Sequence, residues 1–313
     1  MSALLAEVVR SGYVEGTHSG AVLALRADGS VALSVGDVDR PWFPRSSNKP
    51  LQAVALLDAG WAPTDERQVA LAAASHSGEP GHLDVVRTVL ADLDLLGCPP
   101  ELPLGPEAAQ ALLRAGGEPT PLTMNCSGKH AAMLATCLLQ GWPTGGYLDV
   151  AHPVQRAVLH GIEALAGQHV RHLAVDGCGA PQHALTLGGL ARAYTRLATA
   201  DGAARRVAEA MRAHPWYVGG TGRDVTRLME GVPGLVCKDG AEGVFAAALP
   251  DGSSAVVKIA DGAARARTPV LVAALRALGC DAPVLDELAT TPVLGGGRPV
   301  GEVRVVGELA RLS

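Results

Sequence analysis

The sequence lacks an apolar run long enough to cross a membrane, a surplus of basic residues and a recognisable export signal. Its apolar runs, such as Ala53–Leu57 and Val270–Leu275, fall short of the roughly 18 residues that a membrane-spanning helix needs. Acidic residues outnumber basic ones by 31 to 26, so no basic surplus is present to neutralise phosphates. The opening MSALLAEVVR has no basic start followed by an apolar stretch and a small-residue cleavage site. We therefore expect a cytoplasmic protein that binds neither nucleic acid nor a membrane.

Lysine is scarce in this chain. Four of the 26 basic residues are lysine, at positions 49, 129, 238 and 258, and the others are arginine. A guanidinium group stays charged, whereas a desolvated ammonium group can lose its proton near neutral pH. A lysine that persists in an arginine-rich chain is therefore a candidate for proton transfer, although four lysines can also persist by chance.

Strand patterns lie at the two ends of the chain, and helical patterns lie between them. Residues 21–26 and 30–34 form one predicted hairpin, and residues 243–248 and 254–259 form another, each around an Asp-Gly turn. Apolar residues at helical spacing recur between these hairpins. We predict one α+β domain, in which an antiparallel sheet from about residues 1–50 and 232–313 accompanies a helical lobe of about residues 51–231.

Two short motifs, S-x-x-K and K-x-G, have spacings known from nucleophilic catalysis. Ser46 and Lys49 are three residues apart at the predicted start of a helix, so one turn brings them to the same face. A neutral lysine beside a serine hydroxyl can act as its general base. Lys238 and Gly240 form a K-x-G element on a late strand, which accompanies S-x-x-K in serine β-lactamases. Taken alone, S-x-x-K also fits a helix-capping serine and a solvated lysine.

Three further segments carry candidate functional groups. The segment Ala74–Pro80 reads ASHSGEP and is predicted to be a loop, where functional groups concentrate. The segments NCSGKH, at residues 125–130, and DGCGAP, at residues 176–181, each carry a cysteine among glycines. Cys126 and Cys178, with Lys129 or His130, can form a three-ligand metal site. Two buried thiols are the alternative interpretation of these cysteines.

RSSNKP, ASHSGEPGH, NCSGKH, DGCGAP and CKDGAEG, in this order, closely resemble the L-asparaginase II family, the thermolabile Rhizobium-type asparaginases. The resemblance covers essentially the whole chain. It implies a serine β-lactamase-like fold, a homodimer, and hydrolysis of L-asparagine to L-aspartate and ammonia through an acyl-enzyme. Alternatives are a glutaminase or another amidohydrolase of the same fold, a β-lactamase or peptidase, and a non-catalytic regulator that binds zinc or an amino acid.

The resemblance also implies residue roles. It implies two catalytic pairs, Ser46 with Lys49 and Ser77 with Lys238, with Lys258 as the alternative partner of Ser77; which serine attacks is left open. It implies a supporting zinc ion held by Cys126, Lys129 and Cys178. For the substrate, Arg45 and His130 are candidates to bind the α-carboxylate, and Glu79 is the candidate to bind the α-ammonium group.

Overall fold

A computed structural model describes residues 2–312 of the chain. This part of the chain contains strands β1 (Ala3–Arg10), β2 (Tyr13–Leu25), β3 (Val31–Val35), β4 (Leu173–Val175), β5 (Pro181–His183), β6 (Val236–Gly240), β7 (Val244–Ala248), β8 (Ser254–Ile259), β9 (Thr291–Gly295) and β10 (Arg298–Val305). Eight of them form one antiparallel sheet in the order β6-β7-β8-β2-β1-β10-β9, with β3 also paired to β2. The remaining two, β4 and β5, form a separate antiparallel pair.

The main sheet joins the two ends of the chain. Strand β2 pairs with β8 in the register Gly20 to Ile259, and β1 pairs with β10 in the register Ala6 to Val305. Strands β6, β7 and β8 are buried along their whole length. The continuous apolar sequence of β7 indicates this burial, whereas β6 and β8 also carry the buried lysines Lys238 and Lys258. The prediction of mixed helix and strand, with an antiparallel sheet from both ends of the chain, is confirmed.

The helices occupy the middle of the chain and one segment near its C-terminus. They are α1 (Lys49–Asp58), α2 (Glu66–Ala72), α3 (Pro80–Val89), α4 (Pro106–Arg114), α5 (Ser127–Gln140), α6 (Pro153–Ala166), α7 (Leu187–Thr199), α8 (Ala203–Ala213), α9 (Pro215–Val218), α10 (Asp224–Gly231), α11 (Ala264–Ala277) and α12 (Pro283–Leu288). Within residues 2–312, no helix has the length and apolar character needed to cross a membrane.

The chain divides into two compact units. The sheet unit comprises the residues up to Ser47, Ala184–Thr199 and the residues from Arg227 onward. The helical unit comprises Asn48–His183 and Ala200–Thr226. Residues 184–199 were expected in the helical lobe, but α7 packs on β7 and β8 and belongs to the sheet unit. An amphipathic helix shows which face is apolar but not which partner covers that face.

Candidate active site

The segment that carries Ser46 is a single turn of 3₁₀ helix, Arg45–Asn48, directly before α1. Arg45 enters this turn with a φ of 51°, a left-handed conformation that is uncommon outside glycine. The turn is anchored in the sheet unit, because the Ser47 hydroxyl donates to the Lys238 carbonyl at 2.9 Å. The Tyr194 hydroxyl in turn donates to the Ser47 carbonyl at 2.7 Å. These two hydrogen bonds fix the backbone next to Ser46 against β6, the strand that carries Lys238.

Close approach between this turn and β6 requires glycine at position 240. A Cβ atom added to Gly240 would lie 2.6 Å from the Pro44 carbonyl oxygen and 3.0 Å from the Ser47 hydroxyl oxygen. Real Cβ atoms essentially never lie that close to a backbone oxygen. The glycine of the K-x-G element therefore gives the Ser46 turn its place beside the strand.

Lys238 is fully buried and belongs to an ion network. Its amine donates to the Asp239 carboxylate and, at 2.7 Å, to the Asp239 carbonyl. The other Asp239 oxygen accepts from Arg267 at 2.8 Å, and Arg267 also donates to the Gly240 carbonyl at 2.6 Å. The negative charge beside it favours the ammonium form of Lys238.

Lys258, the alternative lysine, has a different environment. Its amine donates to two backbone carbonyls, those of Glu242 and Ile259, and it lies 5.4 Å from the ring centre of Trp42. Burial lowers the pKa of Lys258, and the nearby Glu242 charge opposes that shift. These contacts hold the turn between β6 and β7.

Lys49, the first residue of α1, is buried in the helical unit. Its amine donates to the Ala74 carbonyl at 2.6 Å, to the Ser75 hydroxyl at 3.0 Å and to the Cys126 sulfur at 3.0 Å. The helical unit thus brings Lys49 together with a serine and with one of the two predicted metal-binding cysteines.

The ASHSGEP loop is held rigidly between α2 and α3. The His76 ring accepts from the Gly78 backbone N–H at 3.2 Å and donates through its other nitrogen to the Ser127 hydroxyl at 3.0 Å. Burial and the nearby charges of His82 and Lys49 keep the pKa of His76 well below its usual value. His76 therefore remains neutral and fixes the loop between Ser75 and Ser77.

Ser77 and Glu79 contact the segment that precedes α10. The Ser77 hydroxyl donates to the Gly219 carbonyl at 2.9 Å. The Glu79 carboxylate accepts from the backbone N–H of Thr221 at 2.8 Å and from its hydroxyl at 2.7 Å. Both side chains line a cavity of about 420 Å³, together with Arg223 and residues at the start of α4.

Cys126, Lys129 and Cys178 meet in the helical unit, as the resemblance implies. The Lys129 amine donates to the Cys178 sulfur at 3.0 Å, and all three residues are buried. A hydrogen bond from Cys126 lowers the pKa of Cys178, and the Lys129 charge lowers it further despite burial. The same hydrogen bond and burial raise the pKa of Cys126. The hydrogen bond from Cys126 and the charge of Lys129 therefore favour the thiolate form of Cys178.

His130 follows Lys129 on α5 and is fully buried. Its Nδ1 lies 2.7 Å from the Tyr147 hydroxyl oxygen, and its side chain is also hydrogen-bonded to Cys178. Burial and the charge of Lys129 lower the pKa of His130 to about 4. At neutral pH this side chain is an uncharged imidazole rather than a cation.

The thiol cluster of Cys126, Lys129 and Cys178 offers two sulfurs and one amine, a donor set that fits zinc in part. Thiolates are ligands that zinc prefers, and the surroundings of Cys178 favour that form. Burial lowers the pKa of Lys129, but the charges of Cys178 and Cys126 outweigh burial and raise it, so zinc would have to displace a proton. Within residues 2–312, no group of three or more His, Cys, Asp or Glu side chains is arranged to hold a metal ion. The thiol cluster lies outside that class of site, because one of its three donors is the amine of a lysine.

The structure adds Ser75 and Asp239 to the residues chosen from the sequence. Ser75 and Ser77 both belong to the ASHSGEP segment, so the sequence does not show which of them lies next to a lysine. In the structure, Ser75 is the one that contacts Lys49. Asp239 follows Lys238 directly. Neighbouring strand residues point to opposite faces, so a contact between these two side chains is not expected from the sequence.

Comparison with known proteins gives one finding that covers nearly the whole chain. The family model for L-asparaginase II matches residues 6–305. Among curated proteins, none matches this sequence.

Proposed function

The chain belongs to the L-asparaginase II family, and from this membership we propose that it hydrolyses L-asparagine to L-aspartate and ammonia. The family assigns it to the amidohydrolases, and the match over residues 6–305 is the observation that carries the proposal. Glutamine is the second candidate substrate, because one additional methylene changes discrimination in a pocket by only about 1–3 kcal/mol.

We propose a Ser-Lys acyl-enzyme mechanism in which Ser46 is the nucleophile. Its oxygen attacks the side-chain amide carbon of asparagine, and its proton passes to the neutral amine of Lys49. The carbon–nitrogen bond then breaks, and the departing nitrogen takes up a proton to leave as ammonia. Water attacks the resulting ester and releases L-aspartate and the serine hydroxyl. The Arg45–Asn48 turn, fixed to β6 through Ser47, supports this role because a nucleophile needs a defined position.

The remaining groups serve proton transfer and orientation in this proposal. Ser77 and Lys238 form the second pair, with Lys258 as its alternative lysine. The hydrogen bond between Lys49 and Ser75 supports Ser75 as a further proton relay, since it places a hydroxyl 3.0 Å from the proposed base. The ion pair with Asp239 supports a role for Lys238 as a fixed positive charge near the oxyanion.

We propose that Cys126, Lys129 and Cys178 hold a zinc ion. When bound, zinc would supply a positive charge that helps to position the substrate, rather than an activated water. The contribution of the chain itself is the thiolate of Cys178, which the Cys126 thiol and Lys129 stabilise. The serine β-lactamase-like fold, the homodimer and the cytoplasmic location are further parts of the proposal.

The test is ammonia release from L-asparagine and from L-glutamine by the purified chain, with Ser46→Ala as the comparison. We expect release from L-asparagine, with a large loss of turnover in the variant. Full turnover by Ser46→Ala would refute Ser46 as the nucleophile. Release from glutamine alone would identify a glutaminase. Release from neither substrate would favour a non-catalytic regulator that binds zinc or an amino acid.

A further inference from the structure

Glu242 has an unusual backbone conformation. Three non-glycine residues of the described chain have a positive φ: Ser11 at a hairpin tip, Arg45 at 51° and Glu242 at 59°. Such conformations cost free energy and persist only where the surrounding structure fixes them, as at ligand-binding sites. Arg45 and Glu242 both belong to the sheet unit, and an Arg45 guanidinium nitrogen lies 3.8 Å from a Glu242 carboxylate oxygen.

The backbone of Glu242 is held on several sides. Its carbonyl accepts from the buried Lys258 amine, and the next carbonyl, that of Gly243, accepts from the Ile259 N–H at 2.9 Å. A Cβ atom on Gly262 would lie 2.5 Å from a Glu242 carboxylate oxygen and 3.3 Å from the Glu242 Cα, so both the backbone and one carboxylate oxygen of Glu242 lie close to this glycine. The side chain of Glu242, by contrast, is 62% exposed. A rigid backbone thus presents an accessible carboxylate next to Arg45.

We propose that Glu242 and Arg45 together bind the amino-acid end of the substrate. The Glu242 carboxylate binds the α-ammonium group, and the Arg45 guanidinium binds the α-carboxylate. An α-amino acid carries its two opposite charges on one carbon, and two opposite side-chain charges 3.8 Å apart are complementary to that arrangement. Arg45 directly precedes Ser46, so this pair would anchor the substrate one residue from the proposed nucleophile.

Glu79, the carboxylate that the sequence suggested for this role, is engaged elsewhere. Its two oxygens accept from the backbone and the hydroxyl of Thr221, so the group already holds a turn of the chain. Glu242 therefore replaces Glu79 as the ligand of the α-ammonium group. The inference depends on the proposed function for its substrate, but its test does not require turnover.

The test compares two ligands that differ only in the amino group, L-aspartate and succinate, by titration calorimetry. We expect Glu242→Gln to weaken binding of L-aspartate about tenfold or more, since a hydrogen bond between charged groups is lost. Binding of succinate should be unchanged. Arg45→Gln should weaken both ligands, because both carry the carboxylate. Glu302→Gln is the matched control, since Glu302 lies 3.9 Å from Arg304 on the same unit, and it should alter neither affinity.

Each other outcome overturns the inference. Equal weakening of both ligands by Glu242→Gln, unchanged binding of L-aspartate, or an amino-specific loss in Glu79→Gln instead would each do so. Failure of the unmodified chain to bind L-aspartate would do the same. If the unmodified chain releases no ammonia from L-asparagine but shows the expected Glu242 dependence, the proposed function fails while the binding site stands.

Discussion

The amine of Lys49 and the hydroxyl of Ser75 lie 3.0 Å apart in the buried part of the helical unit. The same amine lies 3.0 Å from the Cys126 sulfur. Lys49 therefore connects a serine of the ASHSGEP loop with the thiol cluster. A change at Ser75 or at Cys126 will alter the environment of the proposed base, although both residues lie far from Lys49 in the sequence.

Ser75→Ala tests this connection. We expect kcat for ammonia release to fall by about 10²-fold or more, a loss typical of a group that assists proton transfer. Ser77→Ala should cost less, because its hydroxyl donates to the Gly219 carbonyl rather than to Lys49. Ser34→Ala, on an exposed part of β3, serves as the neutral control. Wild-type kcat in Ser75→Ala would mean that this contact is only structural.

The sequence predicted the local parts of the fold and left open its long-range pairings. The β7–β8 hairpin follows from two apolar runs around Pro250-Asp251-Gly252, because turn and strands are neighbours in sequence. The pairing of Gly20 with Ile259 joins residues at opposite ends of the chain, and nothing in either strand specifies the other. Helix α7 was expected in the helical lobe but belongs to the sheet unit, because the sequence of a helix does not specify its packing partner.

In the candidate site, too, some residues could be predicted from the sequence and others only from their contacts. The resemblance implied Cys126, Lys129 and Cys178 as one group, and these side chains lie together in the structure. Serine and glutamate are common, so their roles depend on contacts. The choice between Ser75 and Ser77, and between Glu79 and Glu242, rests on hydrogen bonds and backbone angles that the sequence does not contain.

Asp239→Asn should destabilise the chain strongly. The carboxylate accepts from both Lys238 and Arg267, and removing one partner of a buried ion pair typically costs about 3–5 kcal/mol. Urea denaturation followed by circular dichroism measures the free energy of unfolding. Asp84→Asn is the control, because the Asp84 pair with Arg87 is exposed and such pairs contribute about 1 kcal/mol or less. Equal effects of the two substitutions would contradict a buried network.

Zinc content should depend on the thiol cluster and not on other cysteines. If the proposed zinc site is correct, zinc should co-purify with the unmodified chain and be lost in Cys178→Ser, as measured by elemental mass spectrometry. Cys137→Ser should retain zinc, because Cys137 is a buried cysteine on α5, the helix that carries Lys129, and is not one of the three proposed ligands. Chelation should lower the melting temperature of the unmodified chain, since a ligand of the folded state stabilises it. Equal metal content in both variants would exclude the cluster as the zinc site.

His183 should make the chain sensitive to acid. This side chain is buried, its Nδ1 has no partner among the described residues, and burial lowers its pKa to about 4. An unfolded chain takes up a proton on this histidine at its ordinary pKa of about 6.5. Between these two values the unfolded state binds more protons, so the free energy of unfolding falls as the pH falls from about 6.5 to 4.

The size of this effect follows from the shift, and a substitution isolates it. A displacement from about 6.5 to about 4 corresponds to about 3 kcal/mol, and no further loss comes from this group below pH 4, where both states are protonated. Urea denaturation from pH 7 to pH 4 should therefore show a shallower decline for His183→Gln than for the unmodified chain. His172→Gln, at an exposed histidine, should leave the decline unchanged. Parallel curves for His183→Gln and the unmodified chain would show that His183 titrates normally in the folded state, and the acid sensitivity would then belong to other buried groups.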